Sequence, residues 1–173
     1  MKIEEQEMAD CLVRILENVI LTEEKSIRQG YFSDLSIAEM HTLDAIGPYE
    51  ARTMTETANS LGITTGTLTV SIDRLVRKGY VTRKRDENDR RIVRISLTRE
   101  GKIASRMHGK FHGVLARHIL EPYSEEEKKL LLKLVNDIDS FLEAQVEKYD
   151  NAESIRMTAR RVAEETRRRN DDG

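Results

Sequence analysis

The stretch from Thr53 to Leu97 admits few folds. Thr53-Met54-Thr55-Glu56 is a capping box, in which a threonine hydroxyl and a glutamate three residues on satisfy the free N–H groups that open a helix. The helix it opens runs through Leu61 and is stopped by Gly62, and Ile63-Thr64 leads into a longer helix from Thr65 to Lys78 that ends at Gly79. Two strands follow at once, Tyr80 to Arg85 and then Ile92, Val93, Ile95 and Leu97, both rich in β-branched or aromatic residues. Asp86-Glu87-Asn88-Asp89 between them is turn chemistry, because Asp and Asn side chains bond nearby backbone. A short helix, a glycine turn and a longer helix form a helix-turn-helix, and the hairpin adds a wing.

The rest of the chain is helical. Met8, Leu12, Ile15, Val19 and Ile20 recur at helical spacing, so about Glu4 to Arg28 forms a long amphipathic helix ended near Gly30. Ser36-Ile37-Ala38-Glu39 is a second capping box, for a helix that closes at Gly47-Pro48. Thr98 caps a helix over Arg99 to Ile119, with Ile103, Met107, Phe111, Val114 or Leu115 and His118 along one face. Pro122 breaks it, and Ser124-Glu125-Glu126-Glu127 opens a last helix to about Tyr149. The expected fold is mainly α with a small β-hairpin, a winged helix-turn-helix over about 36–98 flanked by long dimerisation helices over about 4–29 and 99–149. Residues 1–149 form a single domain in this reading, and 150–173 a charged C-terminal extension. The flanking helices carry more apolar surface than one small module covers, so pairing with a second copy through them is the economical arrangement.

Charge distribution points to a partner. The formal charge is only −2, from 29 Lys plus Arg against 31 Asp plus Glu. Yet Arg74, Arg77, Lys78, Arg83, Lys84, Arg85, Arg90, Arg91 and Arg94 crowd one short segment, a footprint suited to phosphate. In a helix-turn-helix the second helix enters the major groove of double-stranded DNA. With Leu68, Ile72 and Leu75 inward, Thr65, Thr67, Thr69, Val70 and Arg74 are left to face the bases, offering short hydroxyls, methyl surface and one guanidinium. Arg90 and Arg91 sit at the wing tip, where a narrow minor groove attracts arginine. Asp89 is placed to hold the Arg91 side chain extended. The competing reading of the hairpin is an ordinary solvated one. Two-fold symmetry implies a palindromic operator.

Other classes find little support. The single cysteine, Cys11, rules out an internal disulfide framework and is expected to be an inert buried thiol. There is no signal-peptide pattern and no run of 18 apolar residues, so a cytoplasmic protein without a membrane partner is expected. No nucleophile elbow, phosphate loop, His-Glu-x-x-His or Cys-x-x-Cys appears, which argues against an enzyme, and no cofactor is expected. A winged helix that binds protein instead of DNA would not need Arg90 and Arg91.

Asp89, Arg91, Leu97, Thr98 and Gly101 match the pattern Asp-x-Arg, five residues, Leu-Thr-x-x-Gly, by which the chain resembles the MarR family of dimeric transcriptional regulators. Thr67-Leu68-Thr69 and Leu75 to Val81 also resemble that family's recognition helix and its exit into the wing, and the likeness covers about residues 5–149. Within the family, Ser36 to Thr42, Thr67 to Ile72, Phe111-His112 and Ser124 to Glu127 are most similar to the FabT-type repressors of fatty-acid synthesis genes. That resemblance implies an operator-binding dimer with long-chain acyl-acyl carrier protein as corepressor. The acyl chain would then lie among the first two helices and the Arg99 helix, with Val19, Met40, Leu43, Phe111 and Leu115 as candidate walls or, alternatively, plain core. A rival reading is zinc sensing. His108 and His112 are one helical turn apart, and His41 with Glu23 or Glu24 would complete a tetrahedral set. A small aromatic effector in the same crevice is the third option.

Overall fold

The computed structural model describes residues 3–150 together with Arg156, Met157 and Arg160. The chain forms two compact units, Met1–Leu115 and Ala116–Gly173. In chain order the elements are α1 (Ile3–Gln29), α2 (Ile37–Ile46), β1 (Arg52–Thr53), α3 (Met54–Ser60), α4 (Thr65–Arg77), β2 (Val81–Arg85), β3 (Val93–Leu97), α5 (Arg99–Leu120) and α6 (Glu125–Asp150). Most of the extension read at 150–173 lies outside the described residues.

Each capping box closes as the sequence reading expects. Ser36 Oγ accepts from the Glu39 backbone N–H at 3.2 Å while Glu39 Oε2 accepts from the Ser36 N–H at 2.8 Å. Thr53 and Glu56 repeat this at 3.1 and 2.7 Å, and Ser124 and Glu127 at 3.4 and 2.8 Å. Each box satisfies amides that the first helical turn leaves open, an arrangement typically worth about 1 kcal/mol.

In the first unit, α2, α3 and α4 pack around Leu43, Ile46, Leu68, Ile72 and Leu75, none more than 1% exposed. Burying a side chain of this size contributes roughly 1.5–3 kcal/mol. The hairpin closes one side of this core through Val81, Ile95 and Leu97, which point inward while Thr82, Arg83, Lys84 and Arg85 stay exposed. The sheet is antiparallel with order β1-β3-β2, pairing Arg83 with Ile95 and Arg52 also with Ile95. Two residues of β1 carry no periodicity, so sequence reading expected only two strands.

The joint between α4 and the wing is closely specified. Gly79 has φ +83°, its N–H bonds the Val76 carbonyl at 3.1 Å, and the Tyr80 N–H bonds that of Leu75 at 2.9 Å. These two bonds form a Schellman cap, which requires a left-handed residue and so favours glycine. Thr98 then starts α5 against the same turn. Its hydroxyl reaches the Gly79 carbonyl at 2.8 Å, its backbone N–H reaches that of Tyr80 at 2.9 Å, and its Oγ1 accepts from the Gly101 N–H at 3.1 Å. A Cβ on Gly101 would lie 2.2 Å from the Tyr80 oxygen, so only glycine fits there.

Two expectations change. The inward face of α5 in this unit is Gly101, Ala104 and His108, whereas Met107 of the expected stripe is about half exposed. Polar His108 is held inside by carboxylates; of the stripe, Ile103 packs half-buried against the core, Phe111 and Leu115 are half-buried, and Met107 and Val114 are exposed. Cys11 is half-buried instead of buried, because it sits on α1 among Leu12, Val13, Ile15 and Leu16, all exposed within this unit. In the second unit no described α6 residue is buried, and Leu134, Phe141 and Val146 are each more than half exposed.

Candidate functional site

The N-terminal half of α4 presents a continuous exposed surface. Thr64 caps the helix, accepting from the Thr67 N–H at 3.2 Å and touching the Thr67 hydroxyl at 3.0 Å. The Thr69 hydroxyl donates to the Thr65 carbonyl at 2.7 Å, and the residue is exposed. Because Leu68, Ile72 and Leu75 take the inner face, the structure places Thr65, Thr67, Thr69, Val70 and Arg74 together on the exposed side. Asp73 shares that surface and was not singled out from sequence, where a lone acid among threonines carries no motif.

The wing tip is organised by Asp86. Its Oδ1 accepts from the Asn88 and Asp89 N–H groups at 2.9 and 3.2 Å, and its Oδ2 accepts from Arg94 Nε. Arg94, followed by the two backbone donors, holds the Asp86 carboxyl down to about 2. Arg94 also reaches the Ala51 carbonyl at 3.5 Å, tying the hairpin to the segment before β1. Asp89 does not hold the Arg91 side chain. Its Oδ1 accepts from the Arg91 backbone N–H at 2.9 Å, since a two-residue spacing favours a local Asx turn over a reach to a long side chain. Arg90 and Arg91 are exposed and enter no ion pair among the described residues.

The basic segment therefore divides. Lys78 is committed to Glu39 at 2.7 Å, Arg83 to Asp73 at 2.6 Å and Arg94 to Asp86. Arg74, Arg77, Lys84, Arg85, Arg90 and Arg91 remain exposed and outside any ion pair among the described residues. Composition alone does not separate these two groups, because the partners lie up to 39 residues away in sequence.

A second polar centre lies where α1, α2 and the first half of α5 meet. Glu23, 4% exposed, accepts at Oε1 from His41 Nε2 at 2.8 Å and stands 2.5 Å from His108 Nε2 and 3.5 Å from His112 Nε2. His108, also 4% exposed, puts its Nδ1 2.5 Å from Asp44 Oδ2, and Ser105 donates to the other Asp44 oxygen at 2.7 Å. Burial pushes the Glu23 carboxyl upward, but the hydrogen bonds and charges of His41 and His108 outweigh it and hold the group below its ordinary value. The ligand atoms of Glu23, His41 and His108 all lie within 4.8 Å of one another, and this nitrogen and oxygen donor set suits zinc. Glu24 is instead paired with Arg28 at 2.6 Å.

Beside this centre is a crevice of about 80 Å³ lined among others by Ile27, Phe32, Met40, Met107, His108 and Phe111. Of the expected effector walls it brings together Met40 and Phe111. Val19 and Leu115 are not part of its lining, and Leu43 is fully buried in the core. No described helix is long and apolar enough to cross a membrane.

Residues 35–93, the segment that builds the helix-turn-helix and most of the wing, match the model of the MarR family. The chain is 36% identical over 86 residues to the transcriptional repressor YetL of Bacillus subtilis, covering 49% of this chain and 50% of that one. It is 38% identical over 101 residues to the transcriptional regulator PecS of Dickeya dadantii, covering 58% and 61%. The matched part thus spans half to about three-fifths of those relatives' lengths. Among solved structures, Streptococcus pneumoniae FabT in complex with DNA superposes with a TM-score of 0.77 at 38% identity, covering 81% of this chain and 98% of FabT. With nearly the whole FabT chain covered at that identity, and the family model falling on the two motifs built above, the chain belongs to the MarR family.

Proposed function

We propose that this protein is a sequence-specific DNA-binding transcriptional regulator, a homodimeric cytoplasmic repressor that reads a palindromic operator, and not an enzyme. The observation that carries this reading is the joint exposure of two surfaces fixed to one core. These are the Thr65, Thr67, Thr69, Val70 and Arg74 face of α4 and the uncommitted Arg90 and Arg91 of a wing whose turn is organised by Asp86 and Asp89. The first suits major-groove base edges and the second a minor groove. The exposed apolar residues of α1 and α6 support pairing with a second copy, which would set two recognition helices about 34 Å apart, one DNA turn.

Within that reading, the likeness to FabT in complex with DNA supports the DNA-binding part, and we carry over from the FabT-type resemblance repression of fatty-acid synthesis genes with long-chain acyl-acyl carrier protein as corepressor. The crevice lined by Met40 and Phe111 supplies an apolar mouth among the three helices where the chain would lodge. A specific observation favours a second reading. The convergence of Glu23, His41 and His108, with His112 at 3.5 Å, would hold zinc, whose charge would replace the hydrogen bonds that now keep Glu23 ionised. A small aromatic effector in the same crevice remains the third reading.

A gel shift on duplex from upstream of the protein's own gene and its neighbours separates these. Tightening by carrier protein loaded with a long acyl chain, with no response to zinc, is the expected result. A zinc response abolished in both His108→Ala and His112→Ala reverses the order, and no retardation of any duplex defeats the DNA-binding reading.

A further inference from the structure

Arg83 stands in the basic segment yet faces away from a DNA role of its own. It lies in the middle of β2, and its guanidinium crosses to α4, where Nη1 pairs with Asp73 Oδ1 at 2.6 Å and Nη2 reaches the Thr69 carbonyl at 3.4 Å. The hairpin is otherwise joined to α4 at the Gly79–Tyr80 turn, at the helix's C-terminal end. The root of the hairpin is packed into the core through Val81, Ile95 and Leu97 and paired with β1, whereas β2 beyond Val81 is exposed. Arg83 adds an attachment of the exposed part of β2 to α4 about two to three helical turns back from that joint, which fixes the outer strand against the helix.

We infer that Arg83 is a positioning and specificity-determining residue, whose fork onto Asp73 and Thr69 fixes the distance between the bases read by α4 and the groove read by the wing. The inference rests on the DNA-binding reading above. Three observations support it. Both terminal nitrogens of the guanidinium are engaged on α4, so the side chain does not reach outward as Arg90 and Arg91 do. The two acceptors belong to residues four apart on one helical face, a span that a planar guanidinium bridges and a lysine ammonium does not. Asp73 sits half-exposed on the very surface that carries Thr69 and Arg74, where a bare carboxylate would repel phosphate. Arg83 therefore cancels an unfavourable charge and sets an angle with one side chain.

The test uses a palindromic duplex selected by the wild-type protein from a randomised library, the same duplex with one base pair inserted between each core and its flanking tract, and an unrelated duplex. Affinities of wild type, Arg83→Met, Arg83→Lys and Asp73→Asn are measured by fluorescence anisotropy, with melting temperature and dimer mass as controls. Arg83→Met should lose roughly tenfold on the selected duplex and little on the unrelated one, so that its preference for the selected over the inserted duplex collapses. Arg83→Lys should not restore the preference. Asp73→Asn, which breaks the same tie while removing a negative charge, should lose the preference even though its affinity for the unrelated duplex holds or rises. An equal loss on all three duplexes, with the salt slope lowered by about one, would make Arg83 an ordinary phosphate contact and overturn the inference. A preference unchanged in Arg83→Met overturns it as well. A wild-type protein that enriches no duplex fails at the earlier step and takes the DNA-binding reading with it.

Discussion

Replacing Lys78 by Met tests whether the tie between the recognition helix and the segment before α2 is stabilising. Lys78 ends α4, and its ammonium donates to the Asp34 carbonyl at 2.5 Å and to Glu39 Oε2 at 2.7 Å. Glu39 is 6% exposed, so without Lys78 it keeps only the Ser36 cap as a partner. Removing one member of a fully buried pair costs about 3–5 kcal/mol. The Lys78 side chain is 30% exposed and water replaces part of the lost interaction, which brings the expectation to roughly 2–3 kcal/mol. For a chain of this size that corresponds to a melting temperature lower by about 5–10 °C. The pH dependence carries the diagnosis. Burial raises the Glu39 carboxyl, but Lys78 and Ser36 outweigh it and hold it below its ordinary 4.5, so the carboxylate contributes stability above that value and loses it as pH falls through the lower folded one. In Lys78→Met burial is opposed by Ser36 alone, the group takes up its proton at higher pH, and the penalty is relieved there. Urea titrations of both proteins at one concentration should show a stability gap at pH 7 that narrows steadily toward pH 4. The same substitution in a Glu39→Gln background should cost little. A gap below about 0.5 kcal/mol at pH 7, or one as wide at pH 4, refutes the reasoning.

Two further outcomes follow from the joint and the tip. Gly101→Ala places a methyl 2.2 Å from the Tyr80 carbonyl oxygen, against backbone that cannot swing aside, and should cost roughly 2–3 kcal/mol in thermal or urea unfolding. A melting temperature unchanged by the substitution would show that the wing root relaxes freely. Arg91→Ala removes an exposed, unpaired side chain, so operator affinity measured by anisotropy should fall about tenfold while the melting temperature holds. If the paired wings and recognition helices neutralise about six phosphates, wild-type affinity should drop on the order of a thousandfold between 50 and 200 mM salt, and a flat response contradicts a phosphate footprint.

Much of the winged module was legible because its signals are local. Ser36 with Glu39, Thr53 with Glu56 and Ser124 with Glu127 each announce a helix start within four residues, and all three boxes form. The glycine that closes α4, the turn at Asp86 to Asp89 and the Leu-Thr-x-x-Gly run into α5 are likewise short-range, and the last is explained by a steric fact at Gly101. What sequence could not distinguish was which cations are spent inside the molecule. Arg94 and Arg90 read alike in the sequence, yet one is bound to Asp86 eight residues back and the other is exposed, because Arg94 lies within β3 and Arg90 in the turn at the tip.

The inward face of α5 was misread for a physical reason that bears on function. Apolar periodicity picks out Ile103, Met107 and Phe111, but helix burial follows the partner's chemistry, and here the partner surface from α1 and α2 is Glu23 and Asp44. His108 sets one ring nitrogen against each of these two carboxylates, while Gly101, earlier on the same helix, lies against the Tyr80 carbonyl at the wing root. Met107 and Phe111 line the crevice beside this centre with Ile27, Phe32 and Met40. The polar centre and the apolar crevice lie side by side and share His108. An effector of either chemistry entering at this corner meets the same three helices, so His108→Leu should close the crevice and abolish the response to whichever effector acts, while leaving the threonine face of α4 in place. Retention of an acyl-carrier or zinc response in a folded His108→Leu protein, measured by gel shift, would show that the signal enters elsewhere.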